Sequence, residues 1–415
     1  MKHHKILLCG GCFAGNMGGD AMYETFIHQI KNKTTNYKIS VLTKYPKDDE
    51  EICNRRGYNV FEFTTVERVF IGIPFFLLGG LLKLLHLPHK WLAIGSLKQY
   101  YENDVLVDFS GISFSDYRSF ADLVINITWL LPAFVSGIPI IKMSQSLGPY
   151  NKITTHSLAK YALKRLDVII ARGDASYTVT KKLLPHKKNI YNLPDVAMCL
   201  PTANRETSDS ILEKVGLLDE KYVVMAPSIV VDQRMGSDAY RKIMKAVVKK
   251  VYELTGMPIL FTPHTRNLSA MIGVDSASDD MTVCEEVAKE FDKTAVRVEI
   301  LKERYSATEL KSVIARGEFA IGSRYHFLIA AMSSGVPSIA LGWGHKYYEM
   351  FKLFNMEKYV FEYHEINEET VIQRVTELAE NYLNLKTEIQ EKLPEIKHES
   401  EKNVMFAIKL AERNQ

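Results

Sequence analysis

Strand-like and helix-like segments alternate along this 415-residue chain, and one interruption divides the alternation into two series. Short apolar runs rich in Val, Ile and Leu are separated by longer segments with helical spacing, which favours parallel sheets covered by helices. The alternation stops at the polar, turn-rich stretch PTANRETSDS (201–210) and resumes at YVVMAPSI (222–229). The sequence therefore predicts an α/β chain with two doubly wound domains.

The interruption sets the expected domain boundaries. We expect an N-terminal Rossmann-like domain over 1–200, a C-terminal Rossmann-like domain over 201–385 and a helical tail over 386–415. Two such domains with a cleft between them are the economical architecture, and in such sheets ligands bind where the carboxyl ends of the strands lead into helices. The expected strands are 5–10, 37–43, 104–111, 139–145, 167–172 and 189–195, then 222–229, 257–264, 296–301, 318–323 and 337–342.

Charge and cysteine content exclude several classes of protein. The net charge is only +3 and the basic residues are interspersed with acids, so no nucleic-acid partner is expected. Five cysteines, an odd number, are not the framework of a small secreted domain and indicate a reducing compartment. The start MKHHKILLCG lacks the long apolar region of a signal peptide, so we expect a cytoplasmic location.

One apolar stretch, residues 69–88, has two interpretations. Its proline, glycines and Lys83 argue against a regular membrane-spanning helix of about 20 apolar residues. One interpretation is a buried or interface helix. The other is a peripheral contact with the inner face of a membrane, or with a lipid-linked acceptor.

The stretch CGGCFAGNMGGD (9–20) packs five glycines between the first strand and the first helix. We expect the helix to run from about Ala21 to Lys31 with Asp20 as its N-cap. A redox CxxC motif lies at the N-terminus of a helix, whereas this pair precedes the expected helix by about eight residues, so we expect no redox role. The sequence offers no second CxxC pair as zinc ligands, so we expect no metal site. The glycines match no nucleotide-binding motif, but a strand-to-helix turn of this kind can bind an anion or a sugar.

Residues 306–346 carry the most informative pattern. Ser306 and Glu309 have the spacing of a capping box that starts a helix. Four basic side chains then follow two apolar strands, and a fifth candidate, His264, follows the strand ILFTPH. Because carboxyl ends of parallel strands meet at one edge of a sheet, the sequence predicts an anion site there. The four are Arg324, His326, His345 and Lys346.

The segment GSRYHFLIAAMSSGVPSIALGWGHK resembles the C-terminal signature of the polysaccharide pyruvyl transferase family. Other segments agree in order with that family over about residues 5–350: CFAGNMGGDAM, SQSLGPY, ARGDAS, PDVAM and TPH. The first turn departs from the family's N-x-G-D-E form, since one acid is missing after Asp20. The resemblance implies a glycosyltransferase-B-like pair of Rossmann-like domains that face a cleft. It also implies transfer of pyruvate from phosphoenolpyruvate to a sugar as a cyclic ketal.

The resemblance also implies roles for individual residues. His326 is expected to be the general acid, Arg324 to grip the donor and Lys346 to neutralise its phosphate. His264 and His345 are expected to complete the donor site. The acceptor, a sugar of a cell-surface polysaccharide or its lipid-linked precursor, is expected to contact Asn16, Gly18, Asp20 and Gln145. Phosphoenolpyruvate is then a substrate and no cofactor is expected.

Two other functions stay open on the sequence. A sugar-nucleotide-dependent glycosyltransferase could use the same scaffold, since Arg and His at a strand end also bind diphosphates. A catalytically silent glycan-binding protein would keep the fold without turnover.

Overall fold

The computed structural model describes residues 3–33, 36–266, 279–292 and 294–413. The chain divides into two compact units. The first comprises Met1–Ala14, Thr25–Val196 and Glu399–Gln415, and the second comprises Gly15–Glu24 and Ala197–His398. The ranges 1–200, 201–385 and 386–415 stay sequence predictions; in the structure Gly15–Glu24 groups with the second unit and Glu399–Gln415 with the first.

The first unit is built on a seven-stranded sheet with all its pairs parallel, in the order β3-β2-β1-β4-β5-β6-β7. Its central strands are buried runs rich in apolar residues, as expected for a sheet covered on both faces. The strands are β1 (His4–Cys9), β2 (Tyr37–Thr43), β3 (Asn59–Glu62), β4 (Val105–Asp108), β5 (Ile140–Gln145), β6 (Val168–Ala171) and β7 (Ile190–Asn192).

Helices connect these strands and cover the sheet. They are α1 (Met17–Lys33), α2 (Pro46–Arg56), α3 (Thr65–Glu67), α4 (Ile73–Leu84), α5 (Gln99–Glu102), α6 (Phe120–Ile127), α7 (Leu131–Ser136), α8 (Ile153–Leu163) and α9 (Asp174–Leu183). A π-helical turn, Arg68–Gly72, joins α3 to α4, and short 3₁₀ turns lie at Lys90–Leu92, Gly95–Lys98 and Val196–Cys199.

The second unit has a six-stranded sheet, also with parallel pairing throughout, in the order β10-β9-β8-β11-β12-β13. The chain order reverses between β8 and β11, which is the switch point where such sheets bind ligands. The strands are β8 (Val223–Ala226), β9 (Ile259–Phe261), β10 (Val298–Ile300), β11 (Ala320–Gly322), β12 (Ser338–Gly342) and β13 (Val360–Glu362).

The helices of the second half continue to the C-terminus. They are α10 (Arg205–Lys214), α11 (Ile229–Met235), α12 (Ser237–Thr255), α13 (Asp280–Ala288), α14 (Ala307–Ile314), α15 (Tyr325–Met332), α16 (Lys346–Lys352) and α17 (Glu368–Arg413), with a 3₁₀ turn at Glu357–Tyr359. The capping box predicted at Ser306 and Glu309 is confirmed at the start of α14.

The α/β prediction with two Rossmann-like sheets and a C-terminal helix is confirmed. The sequence missed the edge strands β3 and β13, because these short segments are only partly buried and lack a continuous apolar run. The predicted helical tail over 386–415 forms the C-terminal part of a longer helix, α17, which begins at Glu368.

The first helix starts earlier than the sequence predicts. It begins at Met17 rather than near Ala21, because Gly18 and Gly19 adopt helical geometry and the Asn16 backbone carbonyl accepts from Gly19 at 3.0 Å. Asp20 is therefore inside the first turn, and its predicted role as N-cap is wrong.

The cysteines of the CxxC pair are both buried, and neither forms a disulfide bond. Burial raises the pKa of the Cys9 thiol well above its usual value, with a further contribution from Asp108. Cys9 therefore stays protonated and unreactive, as expected for an apolar core position.

The apolar stretch forms a continuous helical segment, Thr65–Leu84, long and apolar enough by length and composition to cross a membrane. Only 22% of its most apolar window is buried, so the segment is not a buried helix, whereas the interface and peripheral-membrane interpretations stay predictions. No other helix in the described ranges passes the same test.

A buried ion pair links the two turns after β6 and β7. Arg172 donates through Nη1 to the Asp195 carboxylate, and both side chains are almost fully buried. The backbone carbonyl of Asp195 in turn accepts from the Ser400 hydroxyl at 2.7 Å, which ties α17 to this turn. The pair therefore joins two strand ends and the C-terminal helix within the first unit.

Arg172→Ala should destabilise the first unit strongly, because it leaves the Asp195 carboxylate buried without its cation. Removing one partner of a buried pair costs about 3–5 kcal/mol, whereas an exposed pair is worth about 0–1 kcal/mol. Urea unfolding followed by circular dichroism measures the difference, with Arg55→Ala as the control because the Arg55–Glu51 pair is exposed. Equal losses from both variants would contradict this account.

Candidate functional site

The predicted basic residues gather at the carboxyl edge of the second sheet. Arg324 caps α15 directly after β11, and His326 lies in the first turn of that helix. His345 caps α16 after β12, and Lys346 is its first residue. The strand order places β11 and β12 side by side, so the four side chains share one edge of one sheet.

Arg324 is held by a carboxylate that sequence reasoning missed. Its Nε and Nη2 donate to the two oxygens of Asp280 at 2.8 and 2.5 Å, in a bidentate pair that does not use Nη1. Burial alone would lower the pKa of Arg324, but the charge and hydrogen bonds of Asp280 raise it above its ordinary value. Arg324 is therefore a fixed, permanently charged group.

Asp280 also accepts from three backbone N–H groups. Ile229 after β8 donates to Oδ1 at 3.0 Å, and His264 and Thr265 after β9 donate to Oδ2 at 3.3 and 2.9 Å. One buried carboxylate thus joins the ends of β8, β9 and β11. The only sequence signal for it was an acid in the first turn of a helix, which is common at solvated helix ends as well.

His264 contributes no positive charge to this edge. Burial lowers the pKa of its imidazole to about 3. A hydrogen bond to the Thr262 backbone raises this pKa, and the charges of Arg324 and His326 lower it further. The ring packs edge-on against Phe327 at 5.5 Å between centroids. His264 is therefore a neutral group near neutral pH.

The N-terminal turn that was predicted to belong to the N-terminal domain lies at the same edge. Asn16 forms an antiparallel bridge with Thr265, and the backbone N–H of Met17 donates to the His264 carbonyl at 3.3 Å. The backbone N–H of Arg266 donates to the Gly15 carbonyl at 3.1 Å. This turn is thus tied to the end of β9, in agreement with its assignment to the second unit.

Gly18 lies directly against the imidazole of His326. A Cβ atom built on Gly18 would approach His326 Nδ1 to 2.3 Å, closer than any real contact. The Asn16 side chain fixes the turn, because its Oδ1 accepts from the Gly18 backbone N–H at 2.9 Å. The glycine therefore provides the space in which the His326 ring sits.

Asp20 also holds the N-terminal turn in place, through a hydrogen bond to α14. Its Oδ2 accepts from the backbone N–H of Ala307, the first residue of α14, at 2.7 Å. A carboxylate at a helix N-terminus also interacts favourably with the helix dipole. Asp20 thus anchors the N-terminal turn to α14 within the second unit.

Lys346 is buried among aromatic rings. Its Nζ lies 4.1 Å from the ring centroid of Trp343 and 5.3 Å from those of Tyr325 and Tyr347. Arg234, a cation that the sequence analysis did not identify, also contacts this cluster: its guanidinium lies 5.1 Å from the centroid of the Trp343 ring. Arg234 is exposed, follows β8 in α11, and forms no ion pair with another described residue.

Buried hydroxyls fix the backbone at the switch point. Tyr240 Oη lies 2.7 Å from Ser323 Oγ and accepts from the Ser228 backbone N–H at 3.2 Å, while Tyr347 Oη donates to the Ser323 carbonyl at 2.9 Å. Burial raises the pKa of both tyrosines, so they stay neutral donors. The residue before Arg324 is therefore held rigidly between β8 and β11.

Gln145 is in the first unit and belongs to a different network. Its Nε2 donates to the Asp108 carbonyl at 3.0 Å and its Oε1 accepts from Ser113 Oγ at 2.9 Å. The Asp108 carboxylate forms a buried ion pair with Lys142. Both ends of the Gln145 amide are thus engaged in holding the ends of β4 and β5.

The chemistry available at the second sheet's edge is anion binding and proton transfer. It offers permanent charge from Arg324, a second cation in Lys346 and an imidazole that can donate a proton. Among the residues that the structure describes, no group of three or more His, Cys, Asp or Glu side chains is arranged to hold a metal ion.

Comparison with known proteins identifies the family of this chain. The family model for polysaccharide pyruvyl transferase matches residues 16–345, a range that contains both the Asn16 turn and His345. A curated relative, the amylovoran biosynthesis protein AmsJ of Erwinia amylovora, is 19% identical over 409 residues, which cover 93% of this chain and 94% of AmsJ.

Solved structures share the fold. UDP-GlcNAc 2-epimerase from Neisseria meningitidis, bound to UDP-GlcNAc, matches with a TM-score of 0.61 at 10% identity, covering 98% of this chain and all of that one. HepE from Anabaena, in complex with UDP, matches with a TM-score of 0.55 at 12% identity, covering 100% and 98%. These likenesses show a glycosyltransferase-B-like fold.

The family model covers most of the chain, and the relative extends over almost all of it. The expected fold is present, and so are the basic residues after β11 and β12 that carried the resemblance. On this evidence the chain belongs to the polysaccharide pyruvyl transferase family.

Proposed function

We propose that the protein transfers the pyruvyl group of phosphoenolpyruvate to a sugar of a cell-surface polysaccharide, or of its lipid-linked precursor, and closes a pyruvate ketal. Membership of the family supports pyruvyl transfer in polysaccharide biosynthesis. The observation that carries the finer proposal is the packing of His326 on Gly18 at the sheet edge that also holds Arg324 and Lys346.

The charges at this edge suit the proposed donor. Phosphoenolpyruvate carries a carboxylate and a phosphate, and each needs a cation or an N–H donor. Arg324 would bind one of them through Nη1, since Asp280 occupies Nε and Nη2. Lys346 would neutralise the phosphate, with the exposed Arg234 at the same aromatic cluster and His345 at the cap of the same helix. Neutral His264 would contact the donor by hydrogen bonding.

His326 is proposed as the general acid. It donates a proton to C3, the methylene carbon, which becomes the methyl group, and positive charge develops at C2. A sugar hydroxyl bonds to C2 and gives up its proton. The bond from C2 to the phosphate oxygen then breaks, phosphate leaves with its electron pair, and a second hydroxyl bonds to C2 and closes the ring. Two hydroxyl protons balance those taken up by C3 and by phosphate.

The acceptor is proposed to reach the donor at the Asn16 turn. This turn holds Gly18 against His326, so a sugar hydroxyl near Asn16 or Asp20 would lie beside the reacting carbon. Gln145 would act through the ends of β4 and β5 rather than by direct contact, because its amide is engaged there. The reaction is proposed to take place in the cytoplasm, where phosphoenolpyruvate is made, for export to the cell envelope.

A donor assay tests the proposed function. We expect release of inorganic phosphate from phosphoenolpyruvate that depends on a soluble oligosaccharide acceptor, with a pyruvate ketal in the product by mass spectrometry. The competing hypothesis is a sugar-nucleotide glycosyltransferase, since HepE and the Neisseria epimerase have UDP or UDP-GlcNAc in their structures. Release of UDP from UDP-sugars, without phosphate release from phosphoenolpyruvate, would contradict the proposal, and no turnover with either donor would favour a silent binding protein.

Two substitutions test His326 as the general acid and Gly18 as the residue that leaves room for its ring. His326→Gln should lower kcat by about 10²–10⁴-fold, the usual contribution of a positioned acid. Gly18→Ala should displace the imidazole and lower kcat about 10–100-fold, because misplacement by about 1 Å costs that much. The matched control is Gly80→Ala, also in a helix, where a Cβ meets open space. Near-normal kcat in folded His326→Gln would show that another group is the acid, and normal kcat in Gly18→Ala would show that the ring need not stay in place.

A further inference from the structure

A large apolar surface of the first unit stays exposed. It is formed by the outer side of the segment Thr65–Leu84 and by the chain that follows it to Ile94. Exposed patches of this kind on a folded protein mark an interaction site. We define the apolar face by the residues that are each 47% exposed or more: Val66, Phe70, Leu77, Leu78, Leu81, Leu84, Leu85, Leu87, Trp91 and Ile94.

The opposite side of this helical segment is tied to the body of the first unit at both ends. Arg68 is buried, donates through Nη1 to the Ile125 carbonyl at 2.9 Å, and stacks on the Trp129 ring at 4.0 Å. Lys83 donates to the carbonyls of Phe134 and Val135 at 3.0 and 2.9 Å. These bonds hold the segment flat against the unit.

The middle of the segment also packs on the body. A Cβ on Gly79 would approach Val135 to 2.9 Å, so the glycine permits close contact between α4 and α7. A segment that crossed a membrane would have to give up this contact together with the bonds of Arg68 and Lys83. The geometry therefore favours a helix lying in a surface over one that spans a bilayer.

Charge around the apolar face is mainly positive. Glu67 lies within the face, but its carboxylate accepts hydrogen bonds from the Thr64 backbone N–H and hydroxyl. From Arg68 to Lys98 the sequence contains no Asp or Glu, and it contains Lys83, Lys90 and Lys98. Lys90 and Lys98 are exposed; Lys90 lies between Leu87 and Trp91 of the face, and Lys98 follows Ile94. Exposed Trp91 is of the type that settles at the boundary between lipid tails and head groups.

We propose that the apolar face docks on an anionic lipid surface, with the leucines of α4 and Trp91 entering the head-group boundary and Lys90 and Lys98 contacting lipid phosphates. An apolar helical side bordered by lysines is the arrangement of interfacial helices, and acidic lipids attract such lysines. The proposal rests on the surface alone and is independent of the proposed reaction. It also gives the enzyme access to a lipid-linked acceptor.

Vesicle co-sedimentation tests the proposal on the full-length protein. The probes are vesicles of phosphatidylglycerol and phosphatidylcholine in equal parts, and vesicles of phosphatidylcholine alone. We expect binding to the anionic vesicles that weakens with salt and at least a tenfold loss in the variant L77Q/L81Q/L84Q, since Gln keeps the helix but removes the apolar side chains. The variant K90Q/K98Q should lose the preference for anionic vesicles.

Leu383→Gln is the matched control, because Leu383 is a leucine of similar exposure on a helix outside the apolar face. It should bind vesicles like the unsubstituted protein. All variants should keep phosphate release with a soluble acceptor, and circular dichroism verifies that they fold, so a failure of docking is separated from a failure of the reaction. The proposal would be overturned if the protein did not bind vesicles, or if Leu383→Gln lost as much binding as the triple leucine variant. It would also be overturned by a concentration-dependent dimer that the leucine variant disperses, because the apolar face would then be a protein interface.

Discussion

The ion pair between Asp280 and Arg324 organises the second unit's site. Its carboxylate is fully buried and accepts five hydrogen bonds, two from Arg324 and three from backbone N–H groups after β8 and β9. A buried charge is stable only when its partners are complete, so these strand ends are fixed relative to one another. The orientation of Arg324, and of the helix that carries His326, depends on this arrangement.

The N-terminal turn completes the arrangement from a distant part of the sequence. Asn16 and Met17 attach the turn to the end of β9, Asp20 attaches it to α14, and Gly18 leaves room for His326. The family's glycine-rich turn and its basic C-terminal motif therefore meet in one unit. Some three hundred residues separate these two motifs in the sequence, and the contacts of the turn bring them to the same sheet edge.

Sequence patterns predicted the sheets and the edge where the basic residues lie, because buried apolar strands and helix caps are local signals. Asp280 was missed because an acid at a helix start looks the same whether it is solvated or pairs with a buried arginine. The placement of the Asn16 turn was missed because chain order assigned it to the first unit, whereas its contacts are long-range. The neutral state of His264 follows from burial, which a strand-end position does not disclose.

A crystal structure with phosphoenolpyruvate bound would test the central claim most directly. The account predicts the donor at the carboxyl edge of the second sheet, with its anionic groups on Arg324 and Lys346 and its C3 about 3–3.5 Å from the His326 imidazole, the distance of a reactive contact. Phosphoenolpyruvate bound in the first unit, or bound at the second sheet with its methylene carbon turned away from His326, would contradict it.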